Sequence, residues 1–198
     1  MKTLLKLLGA ALLIITLSFT TSSKQKTVVI DVSHGGHDQG QQGHSITEKE
    51  IALKVALKLQ ELAENSPVEI ILTRDSDTFL SLKDRMAFIN KQNPHYMLSL
   101  HANGYKDESV SGYELFYGDN DFHEESKKLA SNISERLDIQ PKSRGIHQVG
   151  FYLLKNTTCP SVFLEMGFLS NMNDRNYLTS KTGQTAIATG ILKALEQL

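Results

Sequence analysis

Short apolar runs alternate along the chain with longer stretches in which apolar residues recur every three or four positions. Residues 27–31 (TVVID), 68–73 (VEIILT), 96–100 (YMLSL), 112–117 (GYELFY), 150–154 (GFYLL) and 161–164 (SVFL) read as six strands. Between them lie helical patterns. Ile51, Val55, Leu59 and Leu62 share one face of a helix that starts at the capping box Thr47…Glu50 and ends near Asn65, before Pro67. Ser81 and Asp84 open a second helix, with Leu82, Met86 and Ile89 inward and a stop near Asn93-Pro94. Residues 122–137 form a polar helix carrying Leu129, Ile133 and Leu137, and residues 182–198 an amphipathic one carrying Ile187, Ile191, Leu192 and Leu195. Residues 140–145 read as a linker. The alternation predicts one α/β domain: a mostly parallel or mixed twisted sheet of about six strands, with helices on both faces. No internal repeat breaks the pattern.

The first 23 residues belong to none of this. Lys2 and Lys6 give a positive start, residues 7–19 form an apolar run of about 13 residues, and Thr20–Ser23 is small and polar. That layout predicts a cleaved signal peptide over residues 1–23 and a folded domain over 24–198. The run is shorter than the roughly 18 residues of a permanent span, and no Cys follows it to carry a lipid. The expected location is therefore outside the cytoplasm, in a periplasm or cell wall, with no permanent membrane anchor. The chain has 198 residues and a formal net charge of −1, which supplies no basic face for nucleic acid. Cys159 is the sole cysteine, so no internal disulfide forms; with no basic neighbour to acidify it, it reads as a small buried hydrophobe.

The candidate chemistry sits where strands end. The first strand runs into His34-Gly35-Gly36-His37-Asp38, the third into His101-Ala102-Asn103-Gly104, and the last into Glu165-Met166-Gly167. Turns beyond the carboxyl ends of parallel strands are where α/β folds build sites, and two histidines on neighbouring strand ends converge. Glu48, in the first turn of the first helix, suits the helix dipole and equally suits a metal facing the His34 loop. Two imidazoles and a carboxylate with an open fourth position make a catalytic zinc set, and a further carboxylate beside it can move a proton. The residues alone leave the choice of histidine open, since His37 and His44 lie close to His34. His95 and His123 read as surface residues, and His147 either as surface or as lining the cleft. Neither a phosphate-binding glycine loop nor H-E-x-x-H is present.

Six blocks then identify a resemblance running from about Thr27 to the C-terminus: IDVSHGGHDQG, TEKEIALKVALKL, TRDSDTFLSLKDR, SLHAN, RGIHQVGFYLL and PSVFLEMGFLSN. In this order they resemble the zinc-dependent type-3 N-acetylmuramoyl-L-alanine amidases, which cut peptidoglycan. The resemblance implies one Zn2+ on His34, Glu48 and His101, with Glu165 as catalytic carboxylate. It implies hydrolysis of the amide between the lactyl group of N-acetylmuramic acid and L-alanine of the stem peptide. Asn103 and His147 are expected in the substrate cleft, and the working unit is expected to be a monomer. Two positions depart from the family pattern. Val32-Ser33 stands where Pro-Gly is usual, and Ala52 where an Asn is common. Residues 117–144 have room for one ordinary helix, so neither a helical plug over the site nor a separate wall-binding repeat after the catalytic domain is expected. Two rival readings stay in view: a zinc peptidase cutting within stem peptides, and a non-catalytic muropeptide-binding module, whose mark would be a lost ligand or a lost Glu165.

Overall fold

The computed structural model describes residues 26–198. The leader expected over residues 1–23 lies outside the described residues. A six-stranded sheet runs in the order β4-β1-β5-β8-β6-β7, with β1 at Lys26–Val32, β4 at Val68–Leu72, β5 at Tyr96–Asn103, β6 at Tyr113–Tyr117, β7 at Ser143–Gln148 and β8 at Ser161–Phe168. Strands β4, β1, β5 and β8 are parallel; β6 runs antiparallel to β8, and β7 is parallel to β6. A two-residue hairpin, β2 (Gln42–Gly43) and β3 (Ile46–Thr47), follows the first strand loop. The helices are α1 (Glu48–Leu62), α2 (Leu82–Gln92), α3 (His123–Arg136), α4 (Tyr152–Asn156), α5 (Met172–Thr179) and α6 (Lys181–Glu196).

The central strands are buried on both sides, so Val28, Val29 and Ile30 are all sequestered and the run reads apolar without alternation. One face carries the main core. Ile51, Val55 and Leu59 of α1, Leu129 and Ile133 of α3, and Ile187 and Ile191 of α6 pack there against Ile30, Leu98, Leu100 and Leu164. The opposite face has a smaller core, in which Ile89 of α2 and Leu153 and Leu154 of α4 meet Val29 and Met97. Helix α1 starts where expected because Thr47 and Glu50 complete the capping box, and α2 because Ser81 Oγ accepts from Asp84 N.

Two expectations need correction. Residues 150–154 are not a strand: Tyr152–Asn156 is the short helix α4, with Leu153 and Leu154 inward and Phe151 and Tyr152 outward. Five apolar residues are too few to separate a period of 3.6 from one of 2. The sixth strand is instead β7, which begins inside residues 140–145, read as linker, and runs on to Gln148. Its residues are exposed or half-buried throughout, as befits an edge strand, and so carry no alternation to read. Helix α5 was also not foreseen; its apolar residues are too sparse for a stripe.

The topology decides where a site can be. From β1 the chain passes through α1 to β4 on one side; from β4 it passes through α2 back across β1 to β5 on the other. Connections therefore leave β1 and β5 in opposite directions, which opens a crevice beyond their carboxyl ends. A buried ion pair braces the strands under it. Arg85 Nη1 donates to Asp31 Oδ1 at 2.9 Å, and Ser99 Oγ of β5 donates to Asp31 Oδ2 at 2.6 Å. Both charged side chains are almost wholly inaccessible.

Removing one partner of such a pair strands the other charge. Arg85→Leu is expected to lower the unfolding free energy by about 3–5 kcal/mol, read from the urea midpoint. Burial pushes the Cys159 thiol up to about 12. It should stay unalkylated by iodoacetamide at pH 8 in the native protein and react fully once unfolded.

Candidate metal centre and catalytic cleft

His34 follows β1 and His101 lies near the carboxyl end of β5, on the two sides of the crevice. Glu48 reaches them from the first turn of α1. His34 Nε2 lies 3.0 Å from Glu48 Oε2, and His101 Nδ1 lies 2.7 Å from Glu48 Oε1. The two imidazole rings meet edge to face at 5.3 Å. One ligand atom from each of the three residues falls within 4.8 Å of the others, and this is the group of metal-ligating side chains found among the described residues. The sequence left Glu48 divided between helix dipole and metal; its carboxylate is buried and turned to both histidines, although it also accepts from the backbone N–H of Gln41 at 2.8 Å.

The surroundings fit a divalent cation. Asp38 Oδ2 accepts from His34 Nδ1 at 2.8 Å, which fixes the ring and leaves Nε2 facing the centre, the usual arrangement behind a metal-bound imidazole. Phe163 stacks on the His101 ring at 3.9 Å and holds its plane. Gly40, at φ +63°, leaves space that a Cβ would take from the ligands, 2.4 Å from Glu48 Oε2 and 2.6 Å from His34 Cδ2. The donor set, two nitrogens and one carboxylate oxygen, suits a borderline metal with a position left open for a reactant.

Loop residues ahead of the cluster are clamped. His34 has φ +56°, an uncommon conformation for a residue with a side chain. Arg74 donates to the carbonyls of Val32 (3.1 Å), Ser33 (2.7 Å) and Lys49 (2.9 Å), while Arg85 donates to the carbonyls of Val32 and His34. Lys49 Nζ reaches Gly36 O and Asp77 Oδ2, each at 2.8 Å. Burial and the neighbouring Arg85 charge bring Arg74 down to about 10.

The acidic groups are pushed apart. Burial raises the Glu48 carboxyl, but hydrogen bonds from His101 and His34 outweigh it and leave it at about 2. Burial tends to lower His34, yet Glu48 and Asp38 hold it above its ordinary value; a bound cation would displace that proton. Glu165 goes the other way. Burial, then the charges of Glu48 and Glu114, raise it well above the usual carboxylate range. It lies on β8 directly opposite His101, on strands about 4.8 Å apart, and its Oε2 is buried with no hydrogen-bond partner. On its other side it faces Glu114 of β6, which Arg144 Nε holds at 3.2 Å.

The remaining histidines separate clearly. His37 is exposed and packs on Phe79 at 4.1 Å; His44 and His95 are exposed; His123 is half-buried at the start of α3, beside Tyr117. His147 is exposed on β7, opposite Phe116 and on the same sheet face as Phe163 and Glu165. Asn103 ends β5, and its Oδ1 accepts from Gly104 N at 2.8 Å. Helix α3, the one helix between residues 117 and 144, is turned into the main core and does not cover the cluster. Asp38, Arg74, Arg85, Gly40, Glu114 and Arg144 were not singled out as site residues from sequence. The available signal was that all of them but Glu114 sit inside a quoted block; Glu114 looks like an ordinary strand residue.

Known proteins resemble this chain in sequence and in fold. The profile of the N-acetylmuramoyl-L-alanine amidase family matches residues 28–197. The germination-specific N-acetylmuramoyl-L-alanine amidase of Bacillus subtilis is 30% identical over 189 residues, covering 86% of this chain and 78% of its own. A probable cell wall amidase, LytH, of Staphylococcus saprophyticus is 32% identical; the match covers 87% of this chain and 58% of that longer protein. The catalytic domain of CwlV, an N-acetylmuramoyl-L-alanine amidase from Bacillus (Paenibacillus) polymyxa, superposes with a TM-score of 0.80 at 32% identity, covering 87% of this chain and 97% of that one. With its fold, its strand-end cluster and a profile match over nearly the whole described domain in agreement, this chain belongs to the N-acetylmuramoyl-L-alanine amidase family.

Proposed function

We propose that His34, Glu48 and His101 hold one zinc ion and that Glu165 is the catalytic carboxylate. As a member of this family the chain is a hydrolase of the amide joining N-acetylmuramic acid, through its lactyl group, to L-alanine of the peptidoglycan stem peptide. The observation that carries the site reading is the meeting of two imidazole nitrogens and a carboxylate oxygen within 4.8 Å, with Glu165 one strand away in register with His101.

Zinc bound there supplies Lewis-acid polarisation of the scissile carbonyl and lowers the pKa of a water. The chain does the rest. Asp38 and Phe163 set the two imidazole planes, and Gly40 keeps the ligands' side of the loop open. Glu165 handles the proton. Its buried, unpartnered Oε2 is free to take a proton from the attacking water and deliver it to the departing amine nitrogen. A carboxyl raised by burial and by the charges of Glu48 and Glu114 holds a proton more readily than an ordinary one, which suits its delivery to the amine. Exposed His147, on the same face, is placed to touch substrate; Asn103 ends β5 beyond His101, and its Oδ1 is taken by Gly104 N.

All the named groups come from one chain, which supports a monomer as the working unit. Peptidoglycan lies outside the cytoplasm, and the charged, apolar and small-polar order of residues 1–23 supports export with cleavage of that segment. No helix among the described residues is long and apolar enough to cross a membrane.

Protein incubated with purified sacculi should release free stem peptides with an L-alanine amine terminus and leave the glycan intact, as read by mass spectrometry; chelator should stop it. Cuts inside the stem would make it a peptidase instead. Glu165→Gln should keep zinc and lose about 10²–10⁴-fold in turnover, whereas His34→Ala should lose the metal. A Glu165 variant at full activity would sink the role assigned to it. Gly40→Ala, with its Cβ driven into Glu48 and His34, should weaken zinc binding at least about tenfold in chelator competition.

A further inference from the structure

Beside the two histidines lies a cleft of about 760 Å³, a size that holds a small ligand. His34 and His101 form one wall, so the cleft is continuous with the candidate metal centre. Its other walls are mostly apolar: Phe79 just before α2 and Leu82 at its start, Phe151 and Tyr152 at the start of α4, and Phe163 of β8 as the floor, with Ser81, Lys83 and Asp38 among them. The aromatic surface continues sideways, since Phe151 lies 4.9 Å from Phe163 and 5.6 Å from Phe116. Phe79, Leu82, Phe151 and Tyr152 are each 40% or more exposed, an unusual concentration of bare apolar surface. The acid and base at the bottom, Asp31 and Arg85, neutralise one another.

A roomier cleft of about 820 Å³, lined by Lys142, Asn173 and Tyr177, touches neither histidine.

The substrate has two unlike arms about the scissile amide. The stem peptide carries free carboxylates. The muramoyl sugar is amphipathic, with apolar C–H faces and an acetamido methyl. The two sides of the site are unlike in the same way. On the β7 side the exposed Arg144 lies over the Phe168 ring at 5.3 Å; its Nε pairs with Glu114 Oε1 at 3.2 Å and its Nη1 donates to Ser111 O at 3.3 Å, which leaves Nη2 to meet a carboxylate. On the α2–α4 side the walls are mainly aromatic, with Lys83 and Asp38 as the charged groups besides the paired Asp31 and Arg85, and the aromatic faces suit a pyranose. We propose that the Phe151–Tyr152–Phe163 cleft is the subsite for the N-acetylmuramoyl sugar. This rests on the amidase reading, and it fixes the direction in which the substrate lies: glycan toward α2 and α4, peptide toward β7.

The test compares two soluble substrates, a disaccharide-linked muropeptide and the same peptide carrying only the lactyl group. Both rim residues are about two-fifths exposed, so the double variant Phe151→Ala/Tyr152→Ala spares the core. It should lower kcat/KM about tenfold on the sugar-bearing substrate and leave the lactyl peptide unchanged. Inhibition by the free disaccharide should weaken about as much. Tyr105→Ala, which removes an exposed aromatic away from the cleft, should change neither value. Equal losses on both substrates, or no loss on either, overturn the subsite. So does a concentration-dependent dimer in sedimentation that the double variant abolishes, because the rim would then be covered by a second copy. Wild-type protein that cuts neither substrate contradicts the amidase reading itself, a result distinct from all of these.

Discussion

His34 stands in a left-handed backbone conformation, and the site depends on keeping it there. A non-glycine residue at φ near +56° costs on the order of 1–3 kcal/mol unless its surroundings fix it. Here two guanidinium groups do so. Arg74 and Arg85 bind the carbonyls of Val32, Ser33 and His34 in succession, and Arg85 is itself locked by Asp31 inside the sheet. The direction of the His34 ring is thereby tied to the packing of β1, β5 and α2. The same bond set links stability to the site: the ion pair that braces the strands also aims His34 at Glu48 and His101.

Electrostatics then divides labour between two glutamates of the same chemistry. Glu48 receives hydrogen bonds from both imidazoles and the Gln41 amide, and it stays ionised down to about pH 2. Glu165 receives none at Oε2, and it faces Glu48 and Glu114, both acidic. A permanently ionised carboxylate is a good metal ligand; one that shares a proton readily is a good shuttle. The separation comes from environment, not from residue type, and the ion pair of Arg144 with Glu114 shows that the third acid is kept partly compensated.

Much of this was legible in the chain. Helix α1 announced itself through its capping box, β1 through Val28–Ile30, and the three strand-end motifs carried His34, His101 and Glu165 to one edge once the strands were taken as parallel. Glu48 was undecided because a first-turn acid satisfies a helix dipole wherever it points, and only the tertiary position of α1 shows that it points at two histidines. The miss at residues 150–154 has the same root. Phe151 and Tyr152 are apolar yet half bare, so a pattern argument counted them as buried strand residues. Apolar residues left half exposed imitate core. Second contacts such as Asp38 behind His34, or Arg85 beneath it, leave no periodic trace, since their partners are set by the folded backbone.

Val32-Ser33, the departure from the usual Pro-Gly, can now be read physically. Val32 N–H donates to Thr73 Oγ1 at 2.9 Å, and Thr73 donates onward to Asp31 Oδ1 at 3.3 Å. A proline at position 32 has no such hydrogen to give. This chain therefore adds one more strut between β1 and the turn after β4, on the same aspartate that holds Arg85. In exchange Ser33 Oγ is buried without a partner, a cost a glycine would not carry. Because the strut and the cost both act on the peptide units just ahead of His34, they bear on how firmly that loop is held and not on which side chains meet. The juxtaposition of His34, Glu48 and His101 is thus insulated from the substitution by the arginine clamp, which grips carbonyls that any residue at positions 32 and 33 would supply.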